Sequence, residues 1–172
     1  ISGLPINSSN LEVYGYVNKS TGLVRTKTLA YGAITTAPDS DGNIQLGKAD
    51  IYDLTEVVSN IDSSISYQNR YTLDKGQRDN FYGLGRLVLQ GGNSAPGGSV
   101  HAKFRYFTHG TAGDFFAVNS YNGQVEYGDI PNYTLNTGAT LNLRSVLDFR
   151  PVQDSDGEYS NTSTGGRVSE LP

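Results

Sequence analysis

Val100-His-Ala-Lys-Phe-Arg-Tyr-Phe107 is the stretch that decides the fold class of this chain. Ala102, Phe104 and Tyr106 fall on one face, and His101, Lys103 and Arg105 fall on the other. A period of two is the side-chain alternation of a half-buried β-strand. Working outward, residues 86–90, 66–73, 44–54, 23–35 and 11–17 read as strands on the N-terminal side. Residues 115–121 and 140–149 read as strands on the C-terminal side.

Turn chemistry punctuates these runs. Ala37-Pro-Asp-Ser-Asp-Gly-Asn43 carries the Asp-Gly pair that supplies positive φ in a tight turn, and it predicts an N-terminal hairpin between the strands beside it. Gly32 inside the 23–35 run predicts a bulge or bend. Residues 54–61 are ambiguous: Asp53 and Glu56 have capping-box spacing, whereas Val57 and Val58 disfavour helix. A short helix or an irregular connector is expected there. Residues 91–99, rich in Gly, Ser and Pro, read as a loop.

Roughly seven to nine short strands result. The expectation is an all-β fold, an antiparallel β-sandwich with one or two short helices. Residues 1–62 form an N-terminal β-hairpin region, either part of the same sandwich or a small subdomain. Residues 63–151 form the sandwich domain, and residues 152–172 a polar linker or tail.

Composition narrows the function. Apolar residues make up 36% and charged residues 17%, with Gly (21) and Tyr (12) plentiful, a combination that separates the chain from disordered sequences. A net charge of −4 without a basic block argues against nucleic-acid binding, which needs Lys and Arg clustered on one face. No apolar run approaches the ~18 residues of a membrane span, and no signal-peptide pattern opens the chain. Without cysteine there are no disulfides, thiol nucleophiles or thiolate metal sites, which fits assembly in a cytoplasm. Methionine is absent even at position 1, and both ends read as cut from a longer chain.

The candidate chemistry is sparse. Asp74, Arg78 and Asp79 lie in Tyr71-Thr-Leu-Asp-Lys-Gly-Gln-Arg-Asp-Asn-Phe-Tyr82 and could be taken for an acid/base cluster. Arg stays protonated and holds neighbouring carboxylates ionised, so a structural corner is the better reading. Arg78 is then clamped bidentately, and Asp74 and Asp79 cap backbone N–H groups, Asp74 opening a short helix over residues 75–82. The tetrads at 39–42 and 154–157 place Asp39, Asp41, Asp154 and Asp156 in oxygen-rich loops that suit Ca²⁺ in kind. Neither completes a calcium loop, so both are read as turns and no metal or other cofactor is assigned. His101 and His109, with Asp114, have the residue types of a metal site, and His109-Gly-Thr-Ala-Gly113 is read as a turn instead. Tyr14, Tyr16, Tyr121, Tyr127 and Tyr133 are candidate contacts to a partner protein or saccharide, since tyrosine offers large amphipathic area at small entropic cost.

Three segments carry a resemblance. They are the 71–82 stretch just quoted; Gly113-Asp-Phe-Phe-Ala-Val-Asn-Ser-Tyr121 with Tyr127-Gly-Asp-Ile-Pro-Asn-Tyr133; and Leu141-Asn-Leu-Arg-Ser-Val-Leu-Asp-Phe-Arg-Pro151. In this order the chain resembles virion structural proteins of large tailed bacteriophages, baseplate- or tail-fibre-associated. The resemblance spans residues 65–151, and Lys75 stands where the motif would carry Asn. It implies no catalytic residue. It implies assembly with other virion tail proteins as a trimer or sixfold array, in a virion put together in the host cytoplasm. The alternative is a carbohydrate- or receptor-binding adhesin module.

Overall fold

The computed structural model describes residues 21–121, 123–125, 127–130, 132–156 and 159–160. Six strands build its body: β1 (Lys27–Thr36), β2 (Ile44–Ala49), β3 (Ile51–Ser59), β4 (Tyr71–Asp74), β5 (Leu84–Leu89) and β6 (Val100–His109). They form two antiparallel three-stranded sheets, ordered β1-β6-β3 and β2-β5-β4. β6 is central in its sheet, and its alternation explains why. Val100, Ala102 and Phe104 point into the core, while Lys103 pairs with Glu56 and Arg105 with Asp53 across β3 on the outer face.

Ile44, Leu46, Tyr71 and Leu87 of one sheet meet Ile51, Val57, Val100, Ala102 and Phe104 of the other in a single core. This is the antiparallel all-β sandwich that the alternation predicts. The described helical turns are short 3₁₀ pieces, at Gln68–Arg70, Val118–Tyr121, Tyr127–Asp129 and Leu143–Ser145. No helix among the described residues is long and apolar enough to cross a membrane.

One residue joins the sheets. β2 and β3 are nearly one strand, broken at Asp50, which sits at φ 54° between them. β2 pairs with β5 and β3 with β6, so the chain changes sheets at this corner. A left-handed backbone is uncommon for a residue with a Cβ, and Asp is among the types that tolerate it. The Asp50 carbonyl accepts the Phe107 N–H at 3.0 Å, which fixes the corner onto β6.

Several local expectations are corrected. The turn at Asp39–Asn43 forms, but β1 and β2 enter different sheets, so there is no N-terminal hairpin. Strands before and after residue 62 therefore interleave in both sheets. β1 runs in unbroken register through Gly32, without a bulge. Glycine is required there by contact, since a Cβ would lie 2.6 Å from Phe104 Cε2. The capping-box segment is strand β3, because Val57 and Val58 are buried and tertiary packing outweighs a local helix signal. Residues 75–82 form no helix. Instead Gly83 donates to Gly76 O at 2.7 Å and Arg78 N to Phe81 O at 3.1 Å, a tight loop closed by a Gln77–Tyr82 bridge.

The C-terminal half is less regular than its sequence suggests. Residues 115–121 give only bridges at Phe115 and Phe116 before turning into the 3₁₀ piece at Val118–Tyr121. Residues 132–142 form a small hairpin, β7 (Asn132–Thr134) with β8 (Thr140–Asn142), and the chain then turns at Leu143–Ser145. The expected tail starts inside the fold: Val152 is buried in β9 (Val152–Gln153), which pairs with β10 (Tyr159–Ser160). Ala49, Tyr82, Phe116 and Val152 make a second apolar cluster beside the sheet-switching corner.

Candidate functional site

The Asp50 carboxylate is the centre of a buried polar hub. Lys27, opening β1, donates from Nζ to Asp50 Oδ2 at 2.7 Å, with the two side chains 1% and 8% exposed. His109, closing β6, places Nε2 at 2.9 Å from the same oxygen. Gln77 Nε2 donates to Asp50 Oδ1 at 2.9 Å. A second half adjoins the first. Lys27 Nζ also reaches Tyr82 Oη at 3.0 Å, and Tyr82 donates onward to Asp148 Oδ2 at 2.5 Å. Arg150 holds Asp148 with Nη2 at 2.8 Å and Nε at 3.0 Å, and its Nη1 donates to Arg78 O at 2.7 Å.

Aromatic rings enclose the ammonium. Lys27 Nζ lies 4.3 Å from the centroid of Tyr82, 4.7 Å from Phe116, 5.3 Å from Tyr121 and 5.9 Å from Phe107. Such faces attract a cation and exclude water at the same time.

The electrostatics follow from this enclosure. Burial lowers the Lys27 pKa, and the Asp50 charge offsets part of that. Burial pushes the Asp50 carboxyl up, but the His109 hydrogen bond and the Lys27 charge outweigh it, leaving Asp50 below the usual carboxylate range. Asp148 is likewise lowered, with burial outweighed by Arg150 and Tyr82. Burial lowers His109, so the imidazole is neutral and donates its Nε2–H to Asp50. Tyr82 is raised by burial and by Asp148. Two cations thus face two anions, and the centre is neutral.

A cavity of ≈ 490 Å³ opens over the hub. Tyr52, Phe107, Phe116 and Tyr121 supply aromatic wall, Val146 and Ile130 aliphatic wall, and Lys75 and Asp129 add charged groups to the lining. The Tyr121 hydroxyl is pushed up to about 12 by burial.

The polar corner read from the sequence sits nearby. Arg78 clamps Asp74 bidentately, Nη1 to Oδ1 at 2.9 Å and Nη2 to Oδ2 at 2.8 Å. Asp74 also accepts Gly76 N at 3.0 Å and Arg86 Nε at 3.2 Å. The Arg78 hydrogen bond, more than the Gly76 and Arg86 contacts, holds the Asp74 carboxyl at about 2. Asp74 thus caps a loop amide without opening a helix, and Asp79 stays exposed outside the ion pair.

The other singled-out residues scatter. Asp39 Oδ1 accepts the N–H groups of Asp41 and Asn43, and Asp154 Oδ1 accepts that of Asp156, so both tetrads fold back on their own turns. His101 bonds Thr35 Oγ1 on the outer face, far along β6 from His109. Tyr121 lines the cavity and Tyr133 is 55% exposed on β7. Tyr14, Tyr16 and the Tyr127 side chain lie outside the described residues.

Sequence reasoning missed Lys27, Asp50 and His109 as a group, because nothing local marks a strand Lys or a corner Asp as buried. The three segments that carry the resemblance converge here: Gln77 and Tyr82 from the first, Phe116 and Tyr121 from the second, Asp148 and Arg150 from the third. Comparison with family models, with characterised proteins and with solved structures finds no match for this chain.

Proposed function

We propose that this chain is a non-catalytic assembly domain, a structural component of a phage tail, baseplate or tail fibre that works through protein–protein contact. The observation that carries the reading is the β7–β8 hairpin. Tyr133 and Leu141 form a cross-strand pair on it, 55% and 45% exposed, and Val146 and Leu147 follow, also exposed. A concentration of large apolar side chains on an exposed hairpin and the residues after it suits burial against a neighbouring protein. The hub supports the non-catalytic part. Its carboxylates are taken up by partners within the fold, Asp50 by Lys27, His109 and Gln77 and Asp148 by Arg150 and Tyr82, which suits a clasp better than a site acting on a bound substrate. Partners of this kind are other virion tail proteins and further copies of the chain, in a trimer or sixfold array.

The test is the double variant Tyr133→Ser with Leu141→Ser, compared with wild type by light scattering and by crosslinking with co-expressed tail proteins. The variant is expected to fold and to lose association. Undiminished association would refute the hairpin as the contact. A second reading, a carbohydrate- or receptor-binding adhesin module, draws on the aromatic-walled cavity, whose size falls within the range of small-ligand sites. Specific glycan-array binding that Tyr121→Ala abolishes would favour it.

A further inference from the structure

Lys27 and Asp50 hold the reactants of an amide bond in contact. The amine nitrogen and a carboxyl oxygen are 2.7 Å apart, both side chains are buried, and rings cover the nitrogen from several sides. Contact of this kind turns a bimolecular condensation into an intramolecular one, where effective concentrations reach ~10⁵–10⁸ M in well-oriented cases. The carboxyl group is also held in one orientation. It hangs from a left-handed backbone position, with Gln77 on Oδ1 and His109 on Oδ2.

We infer that Lys27 and Asp50 condense within the folded chain to an isopeptide bond, Nζ to Cγ, with loss of one water. The ammonium passes one proton along its hydrogen bond to Asp50 Oδ2, leaving an amine and a carboxylic acid. The amine lone pair attacks Cγ, and the carbonyl electron pair moves onto Oδ1, where the Gln77 N–H stabilises the oxyanion. The nitrogen sheds a second proton to Tyr82 Oη as Tyr82 passes its own to Asp148. Asp148 then gives the proton back through Tyr82 Oη to the nitrogen, which passes one of its own along its contact to Oδ2. The Oδ2–Cγ bond breaks, Oδ2 departs as water, and Oδ1 remains as the amide oxygen. Nothing is oxidised or reduced and no co-reactant is consumed.

The surroundings favour this outcome over a permanent ion pair. Burial acts on both partners toward their neutral forms, the forms that react, although donors keep Asp50 ionised at equilibrium. Both side chains are nearly covered, 1% and 8% exposed, so although the pair lines the cavity little water reaches the bond to reverse it. His109, neutral, donates to the departing oxygen without adding a charge to the pocket. A single turnover on the chain itself is compatible with a domain that otherwise catalyses nothing, and the inference stands independently of the assembly role.

Intact-mass spectrometry of the folded, purified chain tests it, followed by digestion and peptide mapping. The wild-type mass is expected one water below that of the sequence, with the Lys27 and Asp50 peptides joined. Lys27→Met is expected to keep its full mass. Asp50→Asn would release ammonia in place of water, and so reach the same final mass as reacted wild type. A folded wild-type chain of full mass overturns the inference. So does a Lys27→Met chain still one water light, or a missing water that maps to Asp41-Gly42. Should Lys27→Met fail to fold, the wild-type mass and peptide map decide alone.

Discussion

Removing one phenolic oxygen at Tyr82 and at Tyr71 should have opposite effects on stability. Tyr82 is 3% exposed, and its hydroxyl joins the two halves of the hub, accepting from Lys27 at 3.0 Å and donating to Asp148 at 2.5 Å. Hydrogen bonds to charged groups contribute ~1.5–3 kcal/mol each. In Tyr82→Phe, Lys27 keeps Asp50 and Asp148 keeps Arg150, so the net loss should be about 2–4 kcal/mol, below the simple sum. For a chain of this size ~1 kcal/mol moves the melting temperature by about 2–4 °C, giving a fall of about 5–15 °C. Tyr71, 5% exposed in the sandwich core, has a buried hydroxyl without a hydrogen-bond partner among the described residues. A buried unsatisfied polar group costs ~1–3 kcal/mol, so Tyr71→Phe should leave stability unchanged or raise it by about 1 kcal/mol. Thermal unfolding followed by circular dichroism on both variants is the assay. Equal shifts for the two, or a Tyr82→Phe melt within a degree of wild type, would refute the role given to the hub.

Arg78→Ala should cost only about 1 kcal/mol in urea unfolding, because the Arg78 side chain is 37% exposed and Asp74 retains Arg86; Arg78→Lys should recover part of it. Gly76→Ala should destabilise by at least about 2 kcal/mol, since φ is +79° and a Cβ would meet Gly83 O at 2.0 Å. Urea titrations across pH should find stability falling in two steps as acid is added. His109, lowered in the folded state, contributes fully above its unfolded value of ~6.5 and loses that contribution below it. Asp148 and Asp74, also lowered, add a second loss below pH ~4, and His109→Gln should remove the first step alone.

The sandwich was legible where side chains alternate against a core. β6 announces itself because Val100, Ala102 and Phe104 are buried in alternation, although Phe107 and not Tyr106 is buried beyond them. β5 shows the same pattern at Gly85 and Leu87, and the Asp39 turn is marked by Asp-Gly. The Asp74–Arg78 clamp was legible too, being a contact between neighbours in sequence. The segments that read wrongly are those decided at long range. A capping box at Asp53 loses to the burial of Val57 and Val58. A helix over 75–82 loses to the Gly76–Gly83 contact and to the bridge that Tyr82 makes with Val152. The hub was invisible for the same reason: Lys27 and Asp50 are 23 positions apart, and Tyr82 and Asp148 are 66 apart. Ion pairs between distant positions have no period and no local composition to betray them.

The irregular segment from 111 to 153 joins the rest of the fold through isolated bridges and side-chain contacts, with no strand in the ladders of the two sheets. Phe115 bridges to Val24, Val152 bridges to Tyr82, and Asp148 enters the hub through the same tyrosine. Elements attached this way open as cooperative units below the global unfolding free energy. Release of Asp148 from Tyr82 and Arg150 would admit water to Lys27 and Asp50 together, so partial opening meets a high threshold. In amide hydrogen exchange the Phe116, Asp148 and Gln153 amides, each held by one backbone carbonyl across a bridge, should therefore exchange as one group. That group should exchange faster than Phe104 at the middle of β6. The order also runs in reverse during folding. The two sheets can close around Ile44, Leu87 and Phe104 while the hub is still hydrated, and the C-terminal segment then docks last and dries it.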